Sequence, residues 1–129
     1  MKALIVSIAL ALLAGNAVIA EQNEHSQAHS AKPAFLVIYK PGPAWLPGKP
    51  VSQQPLGEHG KYVLSLYNKG ALKIGGPFTD DTGGAMVLHV ADLAEAKDIV
   101  TKDPAVVSGV FIYELHPWGL VDWEARSSK

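Results

Sequence analysis

The stretch G-E-H-G-K-Y-V-L-S-L-Y-N-K-G at 57–70 holds one side chain suited to proton transfer. His59 sits one helical turn before Val63 and two before Leu66, on the apolar stripe of an amphipathic helix. An ordinary imidazole titrates near neutral pH and can act as acid or base on a small ligand. The plainer alternative is a half-buried histidine that is merely hydrogen-bonded at a helix end. Gly57 and Gly60 flank it. A mid-helix glycine costs about 1 kcal/mol relative to alanine, so the pair implies close approach by another segment or a ligand, or an irregular first turn.

A carboxylate beside the ring would fix its tautomer and stabilise its charged form. Asp103 is one candidate, although in D-P-A-V-V-S-G it also has the form of a cap before a short helical turn. Asp80 and Asp81 are others, in a glycine-rich turn where aspartate is at home for local hydrogen bonding. Gly75, Gly76 and Pro77 end a strand, where glycine lets a neighbouring chain or a ligand come close. They have neither dinucleotide-fingerprint spacing nor a lysine in P-loop register, so nucleotide binding is rejected. Trp45, Trp118 and Trp123 can line a pocket or, more ordinarily, a subunit seam. His25 and His29 lie in a polar segment, and His89 and His116 are isolated, so no metal ligand set is assigned. With no cysteine and no serine in an elbow motif, no covalent nucleophile is in evidence.

The elements that would carry these residues follow from pattern. Residues 34–39, A-F-L-V-I-Y, read as a buried strand stopped by Pro41-Gly42-Pro43. A helix is expected from about Gln54 to Asn68, with Pro55 in its first turn and Gly70 as its C-terminal cap. A second strand starts at 71–74 and ends in Gly75-Gly76-Pro77-Phe78. The turn T-D-D-T-G-G at 79–84 leads into a third strand at 85–90. Asp92 can cap a helix over 93–102, with Leu93, Ala96 and Val100 at helical spacing, and residues 109–115 form a fourth strand. The order β-α-β-β-α-β predicts an α+β, ferredoxin-like fold with an antiparallel sheet. Both helices then cover one sheet face. The near-continuously apolar strands argue that the other face is buried too, which predicts a homodimer packed sheet to sheet around a barrel-like interior.

The first twenty of the 129 residues have the layout of a secretory leader. Lys2 precedes an apolar run of about a dozen residues, too short for a bilayer core, and Val18-Ile19-Ala20 is a small-residue cleavage site. Residues 21–33 read as a flexible polar tail and 34–129 as the folded domain. Removing Lys2 moves the formal net charge from −1 to −2. That gives no basic field for nucleic acid and no polybasic membrane patch. The expected location is periplasmic or secreted, with no membrane attachment after cleavage. Without disulfides, a domain this small must rely on its core or on a partner chain.

Several pieces then line up together. They are P-G-P-A-W at 41–45, His59 with K-Y-V-L-S-L-Y-N-K-G after it, G-G-P-F-T-D-D at 75–81, G-G-A-M-V-L at 83–88, D-P at 103–104, S-G-V-F at 108–111 and H-P-W at 116–118. In order and spacing the chain resembles the YciI-like (YCII-related) family from Ala34 to Trp118. The resemblance implies a dimeric α/β barrel, and a histidine–aspartate dyad that falls on His59 and Asp103. One branch of that family looks like a dehydrochlorinase acting on chlorinated hydroxyquinols, and the fold is similar to that of muconolactone isomerases. An arginine often precedes the family's histidine. Here Gln53, Gln54 and Pro55 stand upstream, which argues against an anionic ligand.

The expectation is a cofactor-independent enzyme that eliminates from, or isomerises, a small cyclic or aromatic compound. His59 would move the proton and Asp103 would orient it. Gly76, Pro77 and Phe78 would shape the pocket, with Asp80 or Asp81 at its rim and Trp45 nearby. The alternative is a small-ligand-binding dimer without turnover.

Overall fold

The computed structural model describes residues 32–128. The expected leader at 1–20, and the tail up to residue 31, lie outside the described residues. The order is β1 (Ala34–Pro41), a 3₁₀ turn (Val51–Gln53), α1 (Gly57–Asn68), β2 (Leu72–Pro77), β3 (Gly84–His89), α2 (Leu93–Thr101), α3 (Pro104–Val107), β4 (Phe111–Trp118) and α4 (Trp123–Ser127). The strands form one four-stranded sheet in the order β2-β3-β1-β4, antiparallel throughout. This is the ferredoxin-like α+β fold that the element pattern predicts, with the 3₁₀ turn, α3 and α4 added.

β1 is central and pairs with both β3 and β4, so the ladder uses both of its edges. Its alternate residues Phe35, Val37 and Tyr39 are buried on the helix side, with Met86 and Leu88 of β3 and Phe111 of β4 beside them. Leu66 of α1 and Ala96 and Val100 of α2 close this core. Each fully buried valine or leucine side chain contributes about 1.5–3 kcal/mol. On the opposite face, Ile74 and Ile112 are 68% and 51% exposed. Burial of both sheet faces is therefore not met within a single chain, because all the helices that enter the core pack on one side.

Two element starts and one burial differ from expectation. α1 begins at Gly57, not Gln54, because proline disfavours helical geometry in the residue before it. Gln54, preceding Pro55, is extended with φ −77° and ψ 153°. Pro55 thus lies ahead of the helix rather than in its first turn. β4 begins at Phe111, because Gly109, with φ +78°, instead ends the turn of α3. Leu93 has the spacing of an inner-face residue but is half exposed in the first turn of α2, while Ala96 and Val100 are fully buried. The expected cap of α2 is formed, with the Asp92 side chain accepting from Glu95 N.

Two glycines do backbone work that side chains cannot. Gly70 follows α1 at φ +77°, where its N–H donates to Tyr67 O at 2.9 Å and that of Ala71 to Leu66 O at 3.0 Å, closing the helix end. Gly83 has φ +129°, and a Cβ there would lie 2.1 Å from Tyr39 O. Gly70→Ala meets no neighbour and is expected to cost about 1–2 kcal/mol, the backbone penalty alone. Gly83→Ala adds a clash with β1 and is expected to cost clearly more. Urea denaturation of the two variants checks the order.

Candidate functional site

α1 carries His59 toward the sheet because its apolar stripe, Tyr62, Val63 and Leu66, packs on the core and His59 continues that stripe by one turn. Its side chain is 18% exposed. Asp103 caps α3 and is fully buried. The two meet: His59 Nδ1 lies 2.9 Å from Asp103 Oδ1 and 2.8 Å from Oδ2. The capping and partner roles that the sequence left as alternatives coexist, since Ala105 N donates to Asp103 Oδ1 at 2.9 Å. Tyr39, at the end of β1, donates its hydroxyl to Asp103 Oδ2 at 2.8 Å.

Both carboxylate oxygens therefore accept from a neighbour other than the ring. An ionised carboxylate only accepts, so Nδ1 must carry the proton that bonds it, leaving Nε2 as the ring's free nitrogen. The imidazole is held edge-on to two aromatic rings, Tyr39 at 5.3 Å and Phe111 at 5.4 Å between centroids. Burial, reinforced by the Asp103 charge and the hydrogen bond to it, pushes the Tyr39 hydroxyl pKa far above its ordinary 10.0. Tyr62 is raised too, chiefly by burial, and its hydroxyl donates to Ile99 O at 2.9 Å.

His59 opens on a cavity of about 420 Å³ between the first turn of α1 and the ends of β2 and β3. Apolar Val51, Leu56, Val63, Met86 and Phe111 share its wall with glycine backbone from 75–76 and 83–84. Apart from His59 and the neutral Tyr39, no ionisable side chain among the described residues lines it. Gln54 lines it too, but its side chain is spent on the 43–54 loop: Nε2 donates to Leu46 O and Lys49 O, and Oε1 accepts from Leu46 N. Among the described residues, nothing beyond their own helix and their chain neighbours comes within 4 Å of a Cβ placed at Gly57 or Gly60. Packing within the chain thus does not require these glycines, and both border the cavity. Among the described residues, no group of three or more histidine, cysteine, aspartate or glutamate side chains could hold a metal ion. Nor is any helix there long and apolar enough to cross a membrane.

A YCII-related domain matches residues 16–119. The chain belongs to that family. It is 36% identical over 69 residues to the uncharacterized protein YjpA of Bacillus subtilis, covering 54% of this chain and 81% of that one. Its fold matches that of 5-chloro-2-hydroxyhydroquinone dehydrochlorinase from Burkholderia phenoliruptrix, solved in complex with 2,5-dihydroxybenzoquinone. The TM-score is 0.51 and the identity 22%, over 70% of this chain and 97% of the other. At that identity the likeness shows the fold alone.

Of the residues expected at the site of this family member, the structure brings His59, Asp103, Gly76 and Pro77 together. Asp103 stands behind the ring and does not reach the cavity wall, because α3 holds it inside the protein. Phe78, Asp80, Asp81 and Trp45 do not line the cavity. Asp80 accepts from Thr82 N and Oγ1 within the turn, and these bonds lower its pKa. Asp81 accepts from Val51 N at 3.0 Å, tying that turn to the 3₁₀ segment. Trp45 packs behind Phe111, 5.7 Å between centroids, and Phe78 lies in the turn beyond β2. Tyr39 and Phe111 read only as strand residues in the sequence. Tyr39 had a usable signal: a hydroxyl in a buried run needs a partner.

The raised Tyr39 pKa makes a pH prediction for this fold. Stability conferred by the neutral hydroxyl is complete below the unfolded value of 10.0 and is lost as pH rises above it. Denaturation between pH 9 and 11 is expected to show stability falling by about 1.4 kcal/mol per pH unit from this group once above pH 10. Tyr39→Phe is expected to flatten that decline.

Proposed function

We propose that this YCII-related protein is a cofactor-independent proton-transfer enzyme for a small, uncharged, flat ring compound. The observation that carries the reading is a histidine tied through Nδ1 to a buried carboxylate, beside an uncharged, glycine-walled cavity. Nε2 takes a proton from an acidic C–H or O–H of the ligand. Asp103 stabilises the imidazolium that forms and holds the ring in place. In an elimination from a ring chloride, Nε2 first moves a hydroxyl proton to the chlorine-bearing carbon, which becomes tetrahedral. It then takes a second hydroxyl proton, the electron pair left behind forms a C=O bond and shifts the ring π-bond, and chloride departs with its own bonding pair. Release of that proton from His59 to water completes the loss of HCl, with no external oxidant or reductant. In an isomerisation, the same nitrogen returns the proton to a different carbon. The uncharged wall favours neutral substrates. The ring compounds named with the dehydrochlorinase of like fold motivate the first probes.

The test is chloride release from 5-chloro-2-hydroxyhydroquinone by residues 21–129. His59→Gln is expected to lower turnover by about a hundredfold or more, the range of general acid–base effects. Binding of 2,5-dihydroxybenzoquinone without turnover of the chlorinated probe would support the binding-module reading instead. Neither binding nor turnover would remove both ring compounds as ligands.

The reading includes export through the leader-like first twenty residues, to a periplasmic or extracellular location, and a homodimer joined through the open sheet face. Leu36, Ile38, Ile74 and Ile112 alternate onto that face and support the dimer. Analytical ultracentrifugation is expected to give a two-chain species that Ile112→Lys splits into single chains. A monomeric wild type would overturn the dimer.

A further inference from the structure

We propose that Tyr39 is a positioning residue, which acts on His59 through Asp103 by taking a share of the carboxylate's charge and fixing the orientation of its plane. Only the use of this device rests on the proton-transfer function proposed above. The device itself stands on the geometry of a carboxylate sealed from water. Asp103 is fully buried, so protein donors must satisfy both oxygens. Ala105 N–H holds Oδ1 and the Tyr39 hydroxyl holds Oδ2, at 2.9 and 2.8 Å. These two donors lie on different elements, α3 and β1. Between them they set the carboxylate plane, so that Nδ1 of His59 sits nearly equidistant from the two oxygens, at 2.9 and 2.8 Å.

Each donor also withdraws charge from the carboxylate. With Tyr39 in place, Asp103 is a weaker acceptor toward Nδ1–H than it would be with Ala105 alone. Tyr39 thereby tempers how strongly Asp103 favours imidazolium over neutral imidazole, and keeps Nε2 available as a base. The raised pKa of Tyr39 agrees with a hydroxyl that keeps its proton through this work.

Few other groups compete. Phe111 of β4 and the ring of Tyr39 face the imidazole. Tyr62 on α1 is the other nearby hydroxyl, and it is committed to Ile99 O. On the solvent side Lys61 pairs with Glu58 at 2.8 Å on α1, and Lys102 pairs with Asp98 at 2.7 Å at the end of α2.

The test uses the ligand-free protein, labelled with ¹⁵N in its histidines. In the wild type, the neutral His59 ring is expected to be the Nδ1–H tautomer. In Tyr39→Phe, the Nδ1–H proton signal is expected to move downfield, and the pH at which the ring signals change over is expected to rise. Tyr39→Phe removes only the hydroxyl and keeps the ring packing. A residue that merely fills space would leave both readouts unmoved, and that result overturns the proposal. So does a shift to lower pH. If the variant does not fold, the wild-type tautomer still decides: an Nε2–H ring at neutral charge means that Asp103 does not accept from Nδ1. These readouts need no ligand. A shift as expected in a protein that neither binds nor turns over the ring compounds would retire the proposed function and leave the device standing. Unmoved signals alongside loss of turnover in His59→Gln would do the reverse.

Discussion

A buried carboxylate organises this protein. Asp103 reaches the interior because Pro104 fixes the backbone at the start of α3, and because the capping geometry turns its side chain inward, where Ala105 N–H meets it. Once there it cannot be left alone. An unpaired charge inside a protein is far more costly than any one of the contacts that satisfy it. Its partners come from the end of β1 and the first turn of α1, so three elements distant in sequence converge on one group. Removing the carboxylate would loosen the cap, orphan a buried tyrosine hydroxyl and release the imidazole together.

The same constraint explains how α1 sits. Its one buried residue, Leu66, lies toward its C-terminal end, and the closing turn at Gly70 fixes that end. At the other end there is no side-chain cap, and two glycines stand in the first turn. The His59–Asp103 contact therefore secures the end of the helix that its own sequence secures least. This leaves space beside the ring. Gly57 and Gly60 put no side chain into the cavity, while β2 and β3 offer glycine backbone across from them. The result is a chemically reactive nitrogen in an otherwise plain apolar chamber.

The wall of that chamber also narrows what it can hold. The amide of Gln54 and the hydroxyl of Tyr39 are both spent on the protein itself, on a loop and on Asp103. His59 is thus left as the wall's principal free polar side-chain group, joined by backbone groups and the exposed Ser52. Orientation of a ligand would come from shape and from one proton-exchanging contact, rather than from ion pairing.

Much of this was legible in the sequence, and the reason is periodicity. Apolar runs in 34–39 and 85–90, helical spacing in 59–66, and the Asp92 and Gly70 punctuation are local patterns. They determined the β-α-β-β-α-β order and placed His59 on the inner face of its helix. The D-P pair announced a cap by the same local logic. Which aspartate meets His59 was not a local matter. Asp80, Asp81 and Asp103 all suit turns or caps; the family resemblance points to Asp103, and the packing of α3 against α1 is what brings it to His59, leaving the first two at the surface. α1 starts later than its pattern suggests because the restraint that proline puts on the residue before it outweighs its fitness for a first turn. The cavity and the Tyr39 contact could come only from the tertiary structure. A cavity is space left by segments far apart in the chain, and a hydroxyl in a strand names no partner until the sheet brings one within 3 Å.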